Sequence, residues 1–109
     1  WAAVLGGIPQ EADRWRRFHD YYINCIRNVD NSLSALLAEM DALNLTDRTS
    51  VMFTADHGEM AGAHGLHGKG PFAYKETTHL PFYFTHPDVR GEQDCRALTG
   101  HIDMVPTLL

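Results

Sequence analysis

From residue 11 to residue 43 apolar side chains return every third or fourth position, with no proline or glycine to interrupt them. Trp15, Phe18, Tyr22, Cys25, Ile26, Val29, Leu33, Leu36, Leu37, Met40 and Leu43 form that stripe, while Arg16, Arg17, Asp20, Arg27, Asn31, Glu39 and Asp41 occupy the other side. A period near 3.6 predicts one face of a long helix, or of two helices meeting near Asp30, turned toward a core. The rest of the chain must then supply something apolar for that stripe to lie against. A polar turn over 44–48 ends the pattern, and Asn44-Leu45-Thr46 within it also fits the N-glycosylation triplet, which recurs often by chance.

Beyond the turn the period changes. Residues 50–55 read as a buried strand, since Val51, Met52, Phe53, Thr54 and Ala55 are apolar or small without alternation. Residues 58–71 contain five glycines and no periodicity of their own. A loop of that length inside a compact domain is usually functional. A second strand is predicted over 80–85, with Pro81 near its start where a missing amide costs least. Residues 86–94 read as a loop, and Pro106 suits the first turn of a helix. Residues 1–10, with Gly6, Gly7 and Pro9, read as a further loop. Helix, strand, loop, strand and helix in that order make the class α/β.

Composition excludes several alternatives. The chain has 109 residues, enough for one domain with a modest core. Hydrophobic content of 44% and charged content of 21% are those of an ordinary globular protein, and no apolar run approaches membrane-spanning length. The net charge of −5 argues against a nucleic-acid partner. The one basic group, Arg14, Arg16 and Arg17 around Trp15, reads as a solvated helix face. Cys25 and Cys95 lack metal-type spacing and neither demand nor exclude a disulfide. The opening on Trp1 and the unfinished apolar run over 104–109 lead us to expect truncation at both ends.

Chemistry concentrates where the first strand ends. Asp56 and His57 follow it directly, and ligand sites of open α/β sheets lie at the carboxyl ends of strands. Neighbouring strand side chains diverge unless the backbone turns, and Gly58 permits a turn. A carboxylate and an imidazole together suit a divalent cation, Ca²⁺, Mg²⁺ or Mn²⁺. Equally, Asp56 can cap the next turn while His57 hydrogen-bonds in a partly buried wall. Lys69, between Gly68 and Gly70, can meet a bound anion as a point charge or remain a solvated loop lysine. Five of the seven histidines fall between His57 and His86, which raises a second reading, a non-catalytic metal-binding module using His64 and His67. No nucleophile elbow, Walker loop or paired Cys-x-x-Cys is present.

The string TADHGEMAGAHGLHGKG, followed by YKETTHLPFYF and GHIDMVPTLL, resembles the sulfatases of the alkaline phosphatase superfamily over roughly residues 20–109. The resemblance implies a portion of an α/β/α sandwich, with Asp56 and His57 as ligands of a divalent cation, commonly calcium. It also implies that Lys69 contacts the sulfate being transferred, a catalytic role, and that His64, His67 and His79 line the substrate cleft. His101 is expected to be mainly structural, with Asp103 capping the helix near Pro106. The implied substrate is a sulfate ester of a small molecule or a glycan. The implied location is exported, periplasmic or secreted, or lysosomal.

One departure is large. Sulfatases carry a Cys/Ser-x-Pro-x-Arg motif whose first residue is oxidised to formylglycine, and neither Cys25 nor Cys95 stands in that pattern. The family's amino-terminal pair of metal-binding aspartates is likewise absent. These 109 residues are therefore expected to be a partial catalytic domain, inactive without the rest of it. The nearest rival activity is hydrolysis of a phosphonate or phosphate diester by the same superfamily's chemistry.

Overall fold

The computed structural model describes residues 11–89, 91, 94 and 96–109. The loop expected over 1–10, and Cys95 with the question of its pairing, lie outside the described residues; Cys25 is a half-buried free thiol.

Helix α1 spans Ala12–Ala42 as one uninterrupted element of 31 residues, so there is no break near Asp30. Its start carries Asp13 in the first turn, where negative charge favours the exposed amides. Arg14 pairs with Glu11 and Arg16 with Asp13, at 3.0 and 3.1 Å, so this basic group is the solvated face expected of it. At the other end Leu45 N–H donates to the Met40 carbonyl at 2.9 Å and Asn44 N–H to that of Asp41 at 3.0 Å. Asn44 itself adopts a left-handed φ of 55°. This is the Schellman arrangement, which satisfies the last carbonyls and turns the chain away. The Thr46 hydroxyl then donates to the Asp41 carboxylate, and a 3-10 turn over Thr46–Arg48 leads into the sheet.

Strands β1, Val51–Thr54, and β2, Phe82–Thr85, pair antiparallel in the register Val51↔Thr85, Met52↔Phe84, Phe53↔Tyr83 and Thr54↔Phe82. The two-residue period puts Val51, Phe53, Tyr83 and Thr85 on one face and Met52, Thr54, Phe82 and Phe84 on the other. The first face looks across a groove of about 500 Å³ at Ile26, Val29, Leu33 and Leu37 of α1.

The expectation that β1 is buried needs correction. It is half-buried along its length, and β2 is exposed throughout. The physical reason is a shortage of covering material, because helix and sheet stand apart across the groove. The radius of gyration is 17.8 Å, against about 13 Å for a compact domain of this size. Met60 and Thr77 are the buried side chains among the described residues. Apolar residues on both faces of a strand are the composition of sheets covered on both sides, and a two-stranded ladder alone is marginal in water.

A 3-10 turn over Ala63–Gly65 falls within the segment 58–71 read as a loop, and helix α2, Lys75–Thr78, falls in a stretch to which the sequence pattern assigns no element. Helix α3, Met104–Leu108, follows a 3-10 turn at His101–Asp103 and holds Pro106 in its first turn. Asp103 does not cap α3 with its side chain. Its carboxylate reaches back to accept the Gly100 N–H at 2.8 Å, closing the 3-10 turn instead. No helix among the described residues is long and apolar enough to cross a membrane.

Candidate metal and anion site

The carboxyl end of β1 is anchored from three directions. The Thr54 hydroxyl donates to the Pro81 carbonyl at 2.9 Å, locking β1 to the approach of β2. The His101 Nε2–H donates to the Ala55 carbonyl at 2.8 Å, which gives His101 a structural contact at the strand end. Gly58 N–H donates to the Thr77 carbonyl at 3.0 Å. A Cβ at Gly58 would lie 2.0 Å from the Glu76 carbonyl oxygen, so only glycine lets the turn and α2 approach this closely.

That turn brings two neighbouring side chains together. Asp56 Oδ1 accepts the His57 N–H at 3.0 Å, and Asp56 Oδ2 lies 3.5 Å from His57 Nε2. His57 Nδ1 is 2.8 Å from the Gly58 carbonyl, which can only accept. Nδ1 therefore carries a proton, and in the neutral ring it is Nε2 that holds the lone pair, on the side facing Asp56. The His57 N–H holds the Asp56 carboxyl below the usual carboxylate range, the His57 ring adding to this only in its protonated form and the Lys69 ammonium more weakly, against a smaller opposing effect of desolvation.

The pair fits a divalent cation. Two donors about 2.4 Å from one ion and at right angles stand about 3.4 Å apart, close to the 3.5 Å between Oδ2 and Nε2. A metal needs the ionised carboxylate, which the lowered Asp56 pKa favours, and the neutral form of the imidazole, whose Nε2 then faces the same point. The pair is also incomplete, since calcium takes six to eight ligands. Among the described residues no group of three or more His, Cys, Asp or Glu is placed to hold a metal. The histidine-module reading needed such a group around His64 and His67.

The glycine-rich segment is a built loop. Glu59 Oε1 accepts the Ala61 N–H at 3.1 Å and also the Gly68 N–H. Met60 N–H donates to the Gly68 carbonyl at 3.2 Å, and Gly62 N–H to that of Leu66 at 2.8 Å. Helix α1 braces the outside, with His19 Nε2–H donating to the Ala61 carbonyl at 2.8 Å. Gly62, at a φ of 97°, lies so close under Trp15 that a Cβ would stand 3.0 Å from its ring. Lys69 follows this loop directly and is exposed.

The other candidates are distributed around it. His64 stacks on Tyr74, with ring centroids 4.1 Å apart and planes within 15°, and its Nε2 lies 3.7 Å from Glu76 Oε2. His67 is half-buried within the loop. His79 closes α2 through a backbone bond to the Lys75 carbonyl at 2.9 Å and is exposed. Of the candidate residues, Asp56 and His57 meet directly and Lys69 acts on Asp56 by charge, whereas His64 belongs to the Tyr74 and Glu76 group. Glu59 and Thr77 are organising residues that the sequence pattern did not single out. For Glu59 the available signal was an acid beside a run of small residues rich in free amides.

Comparison with known proteins places the chain in a family. Residues 6–109 match the family model described as Sulfatase. Arylsulfatase K of Gallus gallus is 33% identical over 92% of this chain. The uncharacterized sulfatase YidJ of Escherichia coli is 32% identical over 84% of it, and an ulvan-active sulfatase of Formosa agariphila 32% over 91%. The chain spans about 18% of the length of the first two and about 20% of the third. No solved structure gives a significant match. The chain belongs to the sulfatase family, whose fold is α/β of the alkaline phosphatase type.

Proposed function

We propose that this chain forms one wall of the active site of a metal-dependent sulfuric ester hydrolase, within the α/β/α sandwich of a larger catalytic domain. The observation that carries the reading is the 3.5 Å approach of Asp56 Oδ2 to His57 Nε2, two ligand atoms of suitable protonation on one turn. Calcium is the proposed ion, with Mg²⁺ or Mn²⁺ as alternatives. Asp56 and His57 would hold such an ion, which would supply positive charge to the oxygens of a bound sulfate ester.

The chain's own residues prepare that event. Asp56 remains ionised because the His57 amide and, more weakly, the Lys69 ammonium favour its charged form. His57 keeps its ligating nitrogen free because Nδ1 is engaged by Gly58. Lys69 contacts the sulfate and stabilises charge on its oxygens as the ester bond breaks. An ammonium does this from a range of directions, since it acts as a point charge. His64, His67 and His79 line the cleft on the substrate side. The attacking group is not among these 109 residues, which by themselves would not turn over substrate.

One relative is named for activity on ulvan and another as an arylsulfatase. For this chain the proposed substrate class is a sulfate ester of a small molecule or a glycan, and the proposed location is exported or lysosomal. The deciding experiment compares an aryl sulfate with an aryl phosphate diester, using the full-length protein that carries these residues. Preferred hydrolysis of the sulfate, lost on chelation and restored by Ca²⁺, is expected. Preference for the phosphate ester overturns the proposal.

A further inference from the structure

We infer that Glu59 is a positioning residue for Lys69, acting by closing the neck of the glycine-rich loop; this rests on the reading of Lys69 as the sulfate contact. A single carboxylate oxygen, Oε1, receives the amides of Ala61 and Gly68, the two ends of the loop. Lys69 follows Gly68 directly, a residue whose N–H is held by Glu59. Flanking residues keep the carboxylate in place. Met60 beside it is only 2% exposed, and the Met60 N–H makes a second link to the Gly68 carbonyl at 3.2 Å. Against α1 the same loop is held by the His19 bond to the Ala61 carbonyl at 2.8 Å and by Trp15 over Gly62.

Five glycines lie in the segment 58–70, and a chain of that composition has many conformations of similar energy. Without a fixed neck, the Lys69 ammonium would sample many positions relative to Asp56 and His57. Electrostatic stabilisation depends on a charge already aimed at the place where the opposite charge develops. Glu59 contributes to catalysis by that aim and not by touching the sulfate. Its work requires an acceptor at the right reach rather than a negative charge. A glutamine keeps an oxygen at the same position, and an aspartate is one methylene too short to hold both amides.

The test uses the full-length protein with an aryl sulfate substrate, comparing Glu59→Ala, Glu59→Asp, Glu59→Gln, Lys69→Ala and the double variant Glu59→Ala/Lys69→Ala. Lys69→Ala is expected to lower kcat/KM about a hundredfold. Glu59→Ala and Glu59→Asp should each lower it about tenfold or more through misplacement of the ammonium. Glu59→Gln should stay within about threefold of the parent, and in the Lys69→Ala background Glu59→Ala should cost less than about twofold more, because the two act as one unit. Unfolding midpoints of the same variants identify any that fail to fold, and the Gln against Asp comparison then carries the test. A Gln variant as impaired as Ala, or losses that simply add in the double variant, overturns the inference while leaving the role of Lys69 standing. Full activity in Lys69→Ala overturns the Lys69 reading, and the positioning role with it.

Discussion

His57 Nε2 and Asp56 Oδ2 stand 3.5 Å apart on consecutive residues, while His57 Nδ1 is engaged by the carbonyl of Gly58 at 2.8 Å. The backbone turn therefore does two things at once. It brings two donors to a common point and selects the tautomer in which the imidazole can ligate.

Replacing either donor should weaken metal binding without unfolding the protein, since Asp56 is exposed and His57 half-buried. In the full-length protein His57→Ala is expected to lower the affinity for Ca²⁺ by about one to two orders of magnitude, and Asp56→Asn by at least as much. Activity measured against Ca²⁺ concentration should show both variants partly recovering at high metal. Unchanged half-saturation in both would remove the pair from the metal shell.

The isolated 109-residue chain should bind divalent ions weakly, because two donors are a small part of a full shell. Calorimetric titration with Ca²⁺, Zn²⁺ and Ni²⁺ checks this. Tight Zn²⁺ or Ni²⁺ binding that disappears on replacing His64 and His67 would instead favour the histidine module.

Gly58→Ala places a methyl 2.0 Å from the Glu76 carbonyl oxygen, a backbone atom that cannot step aside alone. The turn and α2 must separate, at a cost of about 1–3 kcal/mol. A lowered urea midpoint accompanied by loss of metal affinity is expected, because the same turn sets the distance between Asp56 and His57.

Thr77 is 6% exposed, and its hydroxyl shares one proton between the Phe72 and Tyr74 carbonyls, each at 2.9 Å. Thr77→Val keeps the shape and removes the donor, which should destabilise the protein by about 1–2 kcal/mol. Denaturant unfolding of the pair would report it. The turn at Asp56 to Gly58 should respond too, because Gly58 N–H bonds to the Thr77 carbonyl.

Isolated, the chain leaves Tyr83 68% exposed on the groove side of the sheet and Phe82 47% exposed on the opposite face. Apolar surface of this extent promotes association. Sedimentation velocity of the 109-residue chain should show concentration-dependent self-association, and a strictly monomeric species across the accessible range would contradict this.

Much of the architecture is legible in local pattern. The stripe from Trp15 to Leu43 specifies α1 because a helix closes its own hydrogen bonds within a few residues, so its period is written in neighbouring positions. The strands over 51–54 and 82–85 show for a similar reason, as short runs rich in branched and aromatic residues. Burial was not legible, because it depends on what lies across each face, and α1 stands off from the sheet by an open groove. Helix α2 was missed because Lys75–Thr78 is a single turn, too short for any period to register.

The candidate site divides along the same line. Sequence alone placed Asp56, His57 and Lys69 at a strand end and in a glycine-rich loop, and its motifs led to the family that residues 6–109 match. Only tertiary structure decided that Asp56 and His57 converge, since their turn exists because Gly58 packs against the backbone of Glu76 and Thr77 from a later part of the chain. Tertiary structure also gave Glu59 its work, the joining of Ala61 to Gly68, and set Trp15 and His19 against the loop's outer side. The contacts of Gly58 with Glu76 and Thr77, and of the loop with Trp15 and His19, join segments far apart in sequence. Residue type announces the capacity for such a contact, and the path of the backbone decides whether it is made.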